Sequence, residues 1–245
     1  MHPIYTREDH VRLSDCDCTG RLALPALFDL FMDAATLHAG EIGIGLYDLS
    51  PRQLFWLTVR TKIKIYRRPA LSEPISVTTW PERGGKLRCW RDYRLADALG
   101  VAAEGKTEWA VIHTGTGRLT PLSEVYPEGL EERLTDESVW SEPFGRVRED
   151  FADGEAWAAY TVRSTDIDLG GHMNNAAYPR IVIGAFSNAE LAALDIRDME
   201  LHFRASCYEG DVLTLRRRAV DRGYEFGAFL PDGKTVLLGS IRQEN

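Results

Sequence analysis

The sequence contains no long hydrophobic run and has less positive than negative charge. Its apolar stretches are far shorter than the ~20 residues that a membrane-spanning helix needs. Its first nine residues include no apolar segment of the kind that secretory signals carry. Because 29 lysines and arginines face 37 aspartates and glutamates, the net charge is −8, and a generally basic surface for nucleic acid is not expected. These absences predict a protein with no membrane span and no nucleic-acid partner.

Cysteine is also scarce, and the four cysteines do not have the paired spacing of zinc sites. The sequence likewise lacks the HExxH and HxH patterns, so we expect neither a metal nor another cofactor. A low cysteine content without a secretory signal is typical of the reducing cytosol, and the predicted location is cytoplasmic. The composition that remains, 44% hydrophobic and 27% charged, is that of a globular protein with room for one large domain or two small ones.

An internal repeat divides the chain into two similar halves. Residues 11–22 align with residues 162–173 at a constant offset of 151, which is the difference between 162 and 11 and also between 171 and 20. The valine, the arginine after it, two aspartates and a glycine are identical in the two segments. Arg21 of the first copy stands where the second copy has His172. Such a repeat indicates two copies of one structural unit, of which only the second keeps a titratable imidazole.

A helical pattern follows each copy of the repeat. In the first half, apolar residues recur at three- and four-residue spacing over residues 27–38, Pro25 suits the first helical turn and Gly40 suits the end. In the second half we predict a helix over residues 176–186 and a further short helical segment over residues 188–194.

Alternation of polar and apolar residues after each helix predicts antiparallel strands. We place them at residues 56–66, 75–80, 87–95 and 106–113 in the first half and at residues 199–207, 212–220, 224–230 and 235–242 in the second. The fold class is then α+β, with one unit over residues 1–118 and another over residues 154–245. Glycine, proline and charge in residues 119–153 favour a linker, with a short helix at residues 128–134. The tandem copy can cover the sheet edge that one unit leaves open, and a homodimer is left as a further possibility.

Residues 166–175 concentrate chemical functions in one loop before the second helix. Asp168 and His172 offer a carboxylate and an imidazole for acid–base chemistry. Asn174 or Asn175 is the predicted N-cap of the helix, and both are assigned to the catalytic site because the N–H groups of a helix start can bind an oxyanion. The alternative is a polar loop that caps a helix and has no catalytic role.

The loop resembles the D-x-N-x-H-x-N-N site motif of the plant and bacterial acyl-acyl-carrier-protein (acyl-ACP) thioesterases, in the stretch Asp168-Leu169-Gly170-Gly171-His172-Met173-Asn174-Asn175. Further matches occur in the same order along nearly the whole chain, among them Trp80-Pro81, Arg91-Asp92-Tyr93 and Tyr208-Glu209-Gly210-Asp211. The resemblance implies two tandem hot-dog units, each a curved antiparallel sheet wrapped around one long helix. It also implies an enzyme of fatty acid biosynthesis that hydrolyses the acyl-ACP thioester and releases the free fatty acid. Its partner is then the acyl carrier protein with a fatty acyl-phosphopantetheine arm.

Other functions remain open on the same residues. An imidazole beside a carboxylate also suits an acyl-CoA thioesterase, or a hydratase or dehydratase of the same fold. A non-catalytic acyl-binding relative is a third alternative, because the chain keeps only part of the family's catalytic set. The family's aspartate, asparagine and histidine fall on Asp168, Gly170 and His172, and its glutamate falls on Ser206.

Two mechanisms are consistent with these residues. In the first, Asp168 orients the attacking water, His172 polarises the carbonyl or moves the proton, and N–H groups at the helix start hold the oxyanion. In the second, Cys207 is the nucleophile and His172 is its base. The alternation expected within a strand at residues 199–207 places Ser206 and Cys207 on opposite faces, so that only one of them can face the imidazole. The alternative role of Cys207 is that of a small buried hydrophobic side chain.

Substrate binding needs an apolar slot for the acyl chain, and the first unit offers a set of large side chains for it: Phe28, Phe31, Met32 and Trp56. Core packing explains these four side chains equally well. Gly170 and Gly171 in the loop are assigned to substrate binding too. The carrier protein is expected to be acidic, and three basic clusters are available to bind it: Arg60, Lys62 and Lys64; Arg67 and Arg68; and residues 216–218. The alternative is that these clusters are solvated sheet surface.

Overall fold

The computed structural model describes residues 3–243, which form two compact units. The first comprises the chain up to Thr61 together with Tyr66–Glu142, and the second comprises Lys62–Ile65 and the chain from Pro143 onward. Each unit contains antiparallel strands and one principal helix, so the predicted α+β class is confirmed. Within residues 3–243 no helix combines the length and the apolarity that crossing a membrane requires.

Between residues 3 and 142 the structure contains six strands: β1 (Tyr5–His10), β2 (Leu54–Ile65), β3 (Pro74–Pro81), β4 (Cys89–Asp97), β5 (Gly100–His113) and β6 (Arg118–Thr120). Their spatial order is β1-β3-β4-β5-β2, with β6 beside β5. The four strands predicted in this half correspond to β2–β5. The sequence analysis missed β1, since this edge strand pairs with β3 and alternates between half-buried and exposed residues without an apolar side.

The same described range contains three α-helices: α1 (Leu24–Glu41), α2 (Leu46–Leu49) and α3 (Leu122–Val125). The long helix α1 buries the apolar stripe that its spacing predicts, namely Leu24, Leu27, Phe28, Leu30, Phe31, Ala34, Ala35 and His38. It ends one residue beyond the predicted Gly40. Gly43 turns the chain with a φ of 76°, and the Ile44 N–H donates to the Ala39 carbonyl at 2.9 Å. The hydrogen bond that closes this turn therefore lies past Gly40.

The second unit contains five strands between residues 143 and 243: β7 (Glu155–Thr161), β8 (Ile196–Phe203), β9 (Val212–Val220), β10 (Gly223–Phe229) and β11 (Thr235–Gln243). Their order is β8-β11-β10-β9-β7. Two helices accompany them, α4 (Ala177–Gly184) and α5 (Asn188–Ala193), so the helix predicted over residues 176–186 is shorter than expected. Ser187 begins α5, because its hydroxyl accepts the Glu190 N–H at 3.2 Å and the Glu190 carboxylate accepts its N–H at 2.8 Å.

The strand predicted over residues 199–207 is wrong at its C-terminal end. The strand stops at Phe203, and the next two N–H groups both donate to the Val236 carbonyl, at 2.8 and 3.4 Å. Two successive donors on one acceptor do not fit an antiparallel ladder, so the chain leaves the sheet here. Ser206 and Cys207 therefore lie on a connecting segment, and strand alternation does not decide where they point.

The segment predicted as a linker, residues 119–153, is packed as far as Glu142, whereas most of residues 143–150 are exposed. Up to Glu142 it belongs to the first unit, where several of its apolar side chains are buried: Leu122, Val125, Leu130, Leu134 and Trp140. The helix expected at residues 128–134 is reduced to one 3₁₀ turn, Glu131–Arg133. Gly129 precedes that turn with a φ of 75°, which interrupts a right-handed helical path.

Candidate active site

The loop between β7 and α4 begins with a single 3₁₀ turn, Ser164–Asp166. The Asp166 carboxylate accepts hydrogen bonds from the Arg163 N–H at 2.8 Å and from the Tyr160 hydroxyl at 2.7 Å. The Asp166 carbonyl accepts the Asn174 N–H at 2.7 Å. Asp166 is thus a structural residue that closes the loop, and its carboxylate is already engaged within the fold.

A tight turn inside this loop joins the backbones of Asp168 and His172. The Asp168 N–H donates to the His172 carbonyl at 2.9 Å, and the Gly171 N–H donates to the Asp168 carbonyl at 3.0 Å. Gly171 has a φ of 74°, in the left-handed region that favours glycine. The turn therefore brings together the backbones of the two residues assigned to acid–base chemistry.

The side chains of Asp168 and His172 are both half-buried. Oδ1 of Asp168 accepts the Gly170 N–H at 2.7 Å, which fixes the carboxylate beside the turn. Within residues 3–243 no hydrogen bond or ion pair joins this carboxylate to the imidazole. The two residues therefore lie on one turn, and neither side chain is used to bind the other.

Asn174 closes a second turn just before α4. Its side-chain oxygen accepts the Ala176 N–H, and its carbonyl accepts the Ala177 N–H, both at 2.9 Å. Ala176 is the residue that flanks the helix, so the N-cap predicted at Asn174 or Asn175 is wrong by one or two positions. Since these two N–H groups are engaged and Pro179 has none, the start of α4 offers fewer oxyanion donors than the sequence suggested.

Ser206 and Cys207 differ sharply in exposure. Ser206 is exposed, whereas Cys207 is 0% exposed. The Cys207 carbonyl accepts the Met173 N–H at 2.9 Å, which joins this segment to the loop one residue away from His172. Burial raises the pKa of the Cys207 thiol, against the opposing effect of the Tyr178 hydroxyl. A protonated, enclosed thiol has properties opposite to those of a nucleophilic cysteine.

Tyr208 belongs to this site, although the sequence analysis gave it no functional role. Its ring centroid lies 5.1 Å from that of His172, at an interplanar angle of 52°. The contact follows from the bond between Met173 and the Cys207 carbonyl, because each ring is attached to a residue adjacent to that bond. No local pattern signals this pairing, since it joins two segments that are distant in sequence.

The first copy of the repeat folds with the same backbone hydrogen bonds. The Asp17 N–H donates to the Arg21 carbonyl at 2.9 Å, which reproduces the tight turn of the second loop. The Leu22 N–H donates to the Pro69 carbonyl at 2.8 Å, which reproduces the bond that the second loop makes to the Cys207 carbonyl. Pro69 and Cys207 are therefore equivalent positions in the two units.

The two loops differ in what holds the aspartate side chain. Asp17 forms an ion pair with Arg68, and it accepts the Thr19 N–H at 2.8 Å and the Thr19 hydroxyl at 2.6 Å. Although partial burial opposes ionisation, these bonds hold the pKa of Asp17 below its usual value. Arg68 stands where the second unit has Ser206, whose short side chain forms no ion pair. Within the described chain, Asp168 consequently has only one of its carboxylate oxygens engaged.

The residues assigned to the acyl slot divide into two groups. Phe28 and Phe31 are buried in the core, where Phe31 stacks on Tyr93 with ring centroids 5.0 Å apart. Met32 and Trp56 are half-buried and keep accessible surface. A small surface pocket in this unit is lined by different residues: Pro3, His38, Ile42, Pro81, Leu130, Arg133 and Leu134. Of the four predicted slot residues, only Met32 and Trp56 are not fully buried, and Trp56 also packs against the core.

Both halves of the chain match models of one protein family. Residues 3–130 match the acyl-ACP thioesterase N-terminal domain, and residues 152–228 match the acyl-ACP thioesterase C-terminal domain. The chain belongs to the acyl-ACP thioesterase family. Within this family member, the loop of Asp168 and His172 lies in the C-terminal match, and the loop of Asp17 lies in the N-terminal match.

Individual relatives agree with the family assignment. Oleoyl-acyl carrier protein thioesterase 1 of Arabidopsis thaliana is 27% identical over 228 residues, which cover 85% of this chain and 62% of that protein. The chain spans less than two thirds of the length of the curated acyl-ACP thioesterases that it matches first.

Solved structures of acyl-ACP thioesterases share the fold. One from Bacteroides thetaiotaomicron gives a TM-score of 0.87 at 22% identity, covering 99% of this chain and 98% of that one. The 12:0-ACP thioesterase from Umbellularia californica gives a TM-score of 0.84 at 19% identity, covering 100% of this chain and 98% of that one. The tandem hot-dog architecture implied by the sequence resemblance is therefore confirmed.

The basic clusters of this acyl-ACP thioesterase family member are mostly paired with acidic side chains. The ion pairs are Arg60 with Glu108, Lys62 with Asp198, Arg67 with Asp97, Arg68 with Asp17, Arg217 with Glu155 and Glu190, and Arg218 with Asp153 and Glu225. The sequence showed the positive charges as clusters, but it could not show the carboxylates that compensate them. These clusters therefore offer less free positive charge to an acidic partner than their composition suggests.

Proposed function

We propose that the protein is a thioester hydrolase that cleaves fatty acyl-ACP and releases the free fatty acid. The observation that carries this proposal is the difference between the two copies of one loop. The first copy holds its aspartate in an ion pair with Arg68 and has Arg21 at the position of His172. Because arginine does not act as a base at ordinary pH, only the second loop presents groups for acid–base catalysis. The relatives described above are named as thioesterases of acyl-ACP, which supports the substrate class.

The reaction adds one water across the carbon–sulfur bond. Asp168 orients the water through the carboxylate oxygen that the loop leaves unbonded, and accepts its proton as oxygen attacks the thioester carbonyl carbon. When the tetrahedral intermediate collapses, the carbon–sulfur bond breaks and His172 gives a proton to the departing sulfur. The products are the carboxylic acid, which keeps one proton of the water, and the phosphopantetheine thiol of the carrier. The other proton of the water passes from Asp168 to His172 through solvent, which returns both groups to their starting protonation states.

The oxyanion of the intermediate needs nearby hydrogen-bond donors. The N–H groups of Ala176 and Ala177 already donate to Asn174, so we assign the oxyanion to the N–H and side-chain amide of Asn175. Asn175 is half-buried and directly precedes the helix flank, where the α4 dipole favours negative charge.

Water, and not Cys207, is the nucleophile in this mechanism. The thiol is fully buried, and burial raises its pKa, so the thiolate needed for attack is disfavoured. Its backbone carbonyl nevertheless bonds to the loop next to His172, which gives Cys207 a structural role at the site.

The partner in this reaction is the acyl carrier protein with its acyl-phosphopantetheine arm. We assign the acyl chain to the accessible surface of Met32 and Trp56, since Phe28 and Phe31 are committed to the core. Arg163, which is exposed beside the loop, supplies positive charge for an acidic carrier outside the paired clusters. Action in the cytoplasm and assembly into a homodimer stay predictions from the sequence; light scattering tests the second.

Release of free thiol tests the proposal directly. Purified protein is given a ladder of acyl-ACP substrates that differ in chain length and unsaturation, and the same acyl groups as CoA thioesters. We expect thiol release from acyl-ACP with a kcat/KM higher than that for the matched acyl-CoA. Preference for acyl-CoA would assign the protein to acyl-CoA thioesterases, and formation of an enoyl product from a β-hydroxyacyl substrate would assign it to dehydratases.

A binding protein without turnover is the second candidate. The observation that favours it is that glycine and serine stand at positions 170 and 206, where the family resemblance implies an asparagine and a glutamate. Saturable binding of acyl-ACP, measured by calorimetry, with no thiol release from any member of the ladder would select this function.

A further inference from the structure

A catalytic imidazole must be held in one orientation, and His172 lacks the hydrogen bond that usually does so. Metal-free catalytic histidines are normally oriented by a carboxylate or a carbonyl that accepts a ring N–H. Within residues 3–243 neither ring nitrogen of His172 has a hydrogen-bond partner. Ser206, at the position of the family glutamate, is exposed and has no hydrogen bond to the ring. Another contact must therefore restrict the ring.

The structure provides such a contact in Tyr208. The separation of 5.1 Å between its ring centroid and that of His172, with a tilt of 52°, falls within the range of favourable aromatic pairs. Such pairs are favourable beyond the burial of area, by enough to shift the rotamer populations of a half-buried side chain several-fold. The tyrosine is 55% exposed, so its ring contacts solvent as well as the imidazole.

The backbone of Tyr208 is itself fixed on both sides. Its N–H donates to the Asp211 carboxylate at 2.9 Å, and its carbonyl accepts the Asp211 N–H at 3.1 Å. Before it, the Cys207 carbonyl accepts the Met173 N–H at 2.9 Å. The two rings thus extend from residues on either side of a single hydrogen bond between two anchored segments, and their spacing is set by the fold.

The first unit supplies an internal comparison. Ala70 occupies the place of Tyr208, and its N–H bonds to the Glu73 carboxylate at 2.8 Å as the tyrosine N–H bonds to its own carboxylate. Arg21 occupies the place of His172 in that unit. The aromatic residue is therefore present in the copy that has the imidazole and absent from the copy that lacks it.

We infer that Tyr208 is a positioning residue for His172, which holds the imidazole by ring contact and not through its hydroxyl. The kinetic consequence rests on the proposed function, whereas the contact itself does not. A phenylalanine at this position preserves the ring and removes only the hydroxyl. An alanine removes the contact and, because the side chain is more than half exposed, leaves the fold intact.

The test compares Tyr208→Phe and Tyr208→Ala with a matched control, Tyr47→Ala, in which an 89% exposed tyrosine of the first unit is truncated. We expect Tyr208→Ala to lower kcat by about ten- to a hundred-fold, the size of a misplaced catalytic group, with KM little changed. Tyr208→Phe and Tyr47→Ala should keep the wild-type kcat. Recovery by phenylalanine distinguishes positioning by the ring from a role of the hydroxyl.

A second readout does not depend on turnover. In ¹H–¹³C spectra of histidine-labelled protein, the ring signals of His172 are assigned by their loss in His172→Gln. These signals should move in Tyr208→Ala, which removes the ring current, and stay close to wild type in Tyr208→Phe. Unmoved signals together with an unchanged kcat in Tyr208→Ala would overturn the inference. So would a kcat in Tyr208→Phe as low as that in Tyr208→Ala, or an effect of Tyr208→Ala on KM alone. If the wild type shows no turnover, the proposed function fails, and the spectra still decide whether Tyr208 holds the ring.

Discussion

The carboxylate of Asp17 is ion-paired with Arg68 at the place where the second unit has Asp168 and Ser206. The backbone bonds of the two loops are otherwise the same, so the side chains of Arg68 and Thr19, which bind Asp17, distinguish it from Asp168. The duplicated unit thus has one loop whose aspartate is held in an ion pair and one loop whose aspartate is available for catalysis.

Converting the second loop into the first should inactivate the protein. In Ser206→Arg the guanidinium is expected to reach Asp168 as Arg68 reaches Asp17, and we expect kcat to fall by about 10²-fold or more, as on loss of an acid–base group. The melting temperature should stay the same or rise slightly. The measurement is thiol release from acyl-ACP, with thermal unfolding alongside. Ser206→Met, of similar length but without charge, is the control and should keep most of the activity; a fully active Ser206→Arg would contradict the role of this position.

Direct substitution of the two titratable groups gives a second prediction. Asp168→Asn and His172→Gln should each lower thioester turnover by about 10²-fold or more, because each removes a proton acceptor or donor while keeping the shape of the side chain. Thiol release under substrate saturation measures the effect. Asp17→Asn is the matched control in the first loop and should leave kcat unchanged. Wild-type rates in both second-loop variants would rule out this mechanism.

The parts of the site that could be predicted from the sequence are those set by local pattern. The helical stripe between Leu27 and His38 needs only three- and four-residue spacing, and the tight turn before His172 needs only a glycine able to adopt positive φ. Both copies of the loop were visible because identical residues recur at one offset. Short-range physical rules are enough for such features.

The features that could not be predicted depend on partners distant in sequence. The end of β8 is set by the Val236 carbonyl, which accepts two successive N–H groups. No pattern near Phe203 in the sequence predicts this end. The contact of Tyr208 with His172 and the ion pair of Arg68 with its aspartate both depend on how a connecting segment packs against the loop. Tertiary packing of this kind overrides local preference.

Removal of the Cys207 thiol should leave catalysis unchanged. The thiol is fully buried and burial raises its pKa, so we expect Cys207→Ala to keep the wild-type kcat and KM while its melting temperature falls, because a small cavity opens in the packed interior. Thiol release and calorimetry measure the two effects. Alkylation of the native protein provides a check, since exposed Cys18 should react and Cys207 should not. Loss of turnover in Cys207→Ala would instead support the mechanism in which Cys207 is the nucleophile.

A buried carboxyl in the first unit should make stability depend on pH. Asp92 is 0% exposed, and burial, together with the neighbouring Glu82 carboxylate, raises its pKa to about 9. Because the folded state holds this proton more tightly than the unfolded chain, whose carboxyl has a pKa near 3.8, stability is lost as the pH rises from about 4 to 9. Asp92→Asn removes this titration, so its unfolding free energy relative to wild type should increase progressively between pH 5 and pH 9.

Urea denaturation at several pH values measures this difference. Asp33→Asn, at an exposed position of α1, is the control and should not alter the pH dependence. Parallel stability curves for Asp92→Asn and wild type across this range would show that Asp92 is ionised in the folded protein.

Lys106 forms a buried cluster with Glu82 and Asp92, and we expect its loss to be the most destabilising of the three. Its ammonium lies 2.6 Å from Glu82 and 3.7 Å from Asp92, and it donates to the Trp140 carbonyl at 3.1 Å, all in a largely buried setting. Burial opposes the ionisation of Glu82. Hydrogen bonds from its neighbours, including the Lys106 ammonium, nevertheless hold the pKa of Glu82 below its usual value. Lys106→Met removes the cation and leaves a buried carboxylate without one, which typically costs about 3–5 kcal/mol of unfolding free energy.

The pH dependence of this variant separates lost charge from lost packing. Without Lys106, the pKa of Glu82 should rise above that of the unfolded chain, so Lys106→Met should recover stability as the pH falls toward about 4, where both states are protonated. Adding Glu82→Gln should restore part of the loss at neutral pH, since the double variant buries no unpaired carboxylate there. Urea denaturation of both variants at pH 5 and pH 8 measures these effects. A loss that is equal at both pH values and unrelieved by Glu82→Gln would assign the role of Lys106 to packing against Trp140 instead of charge.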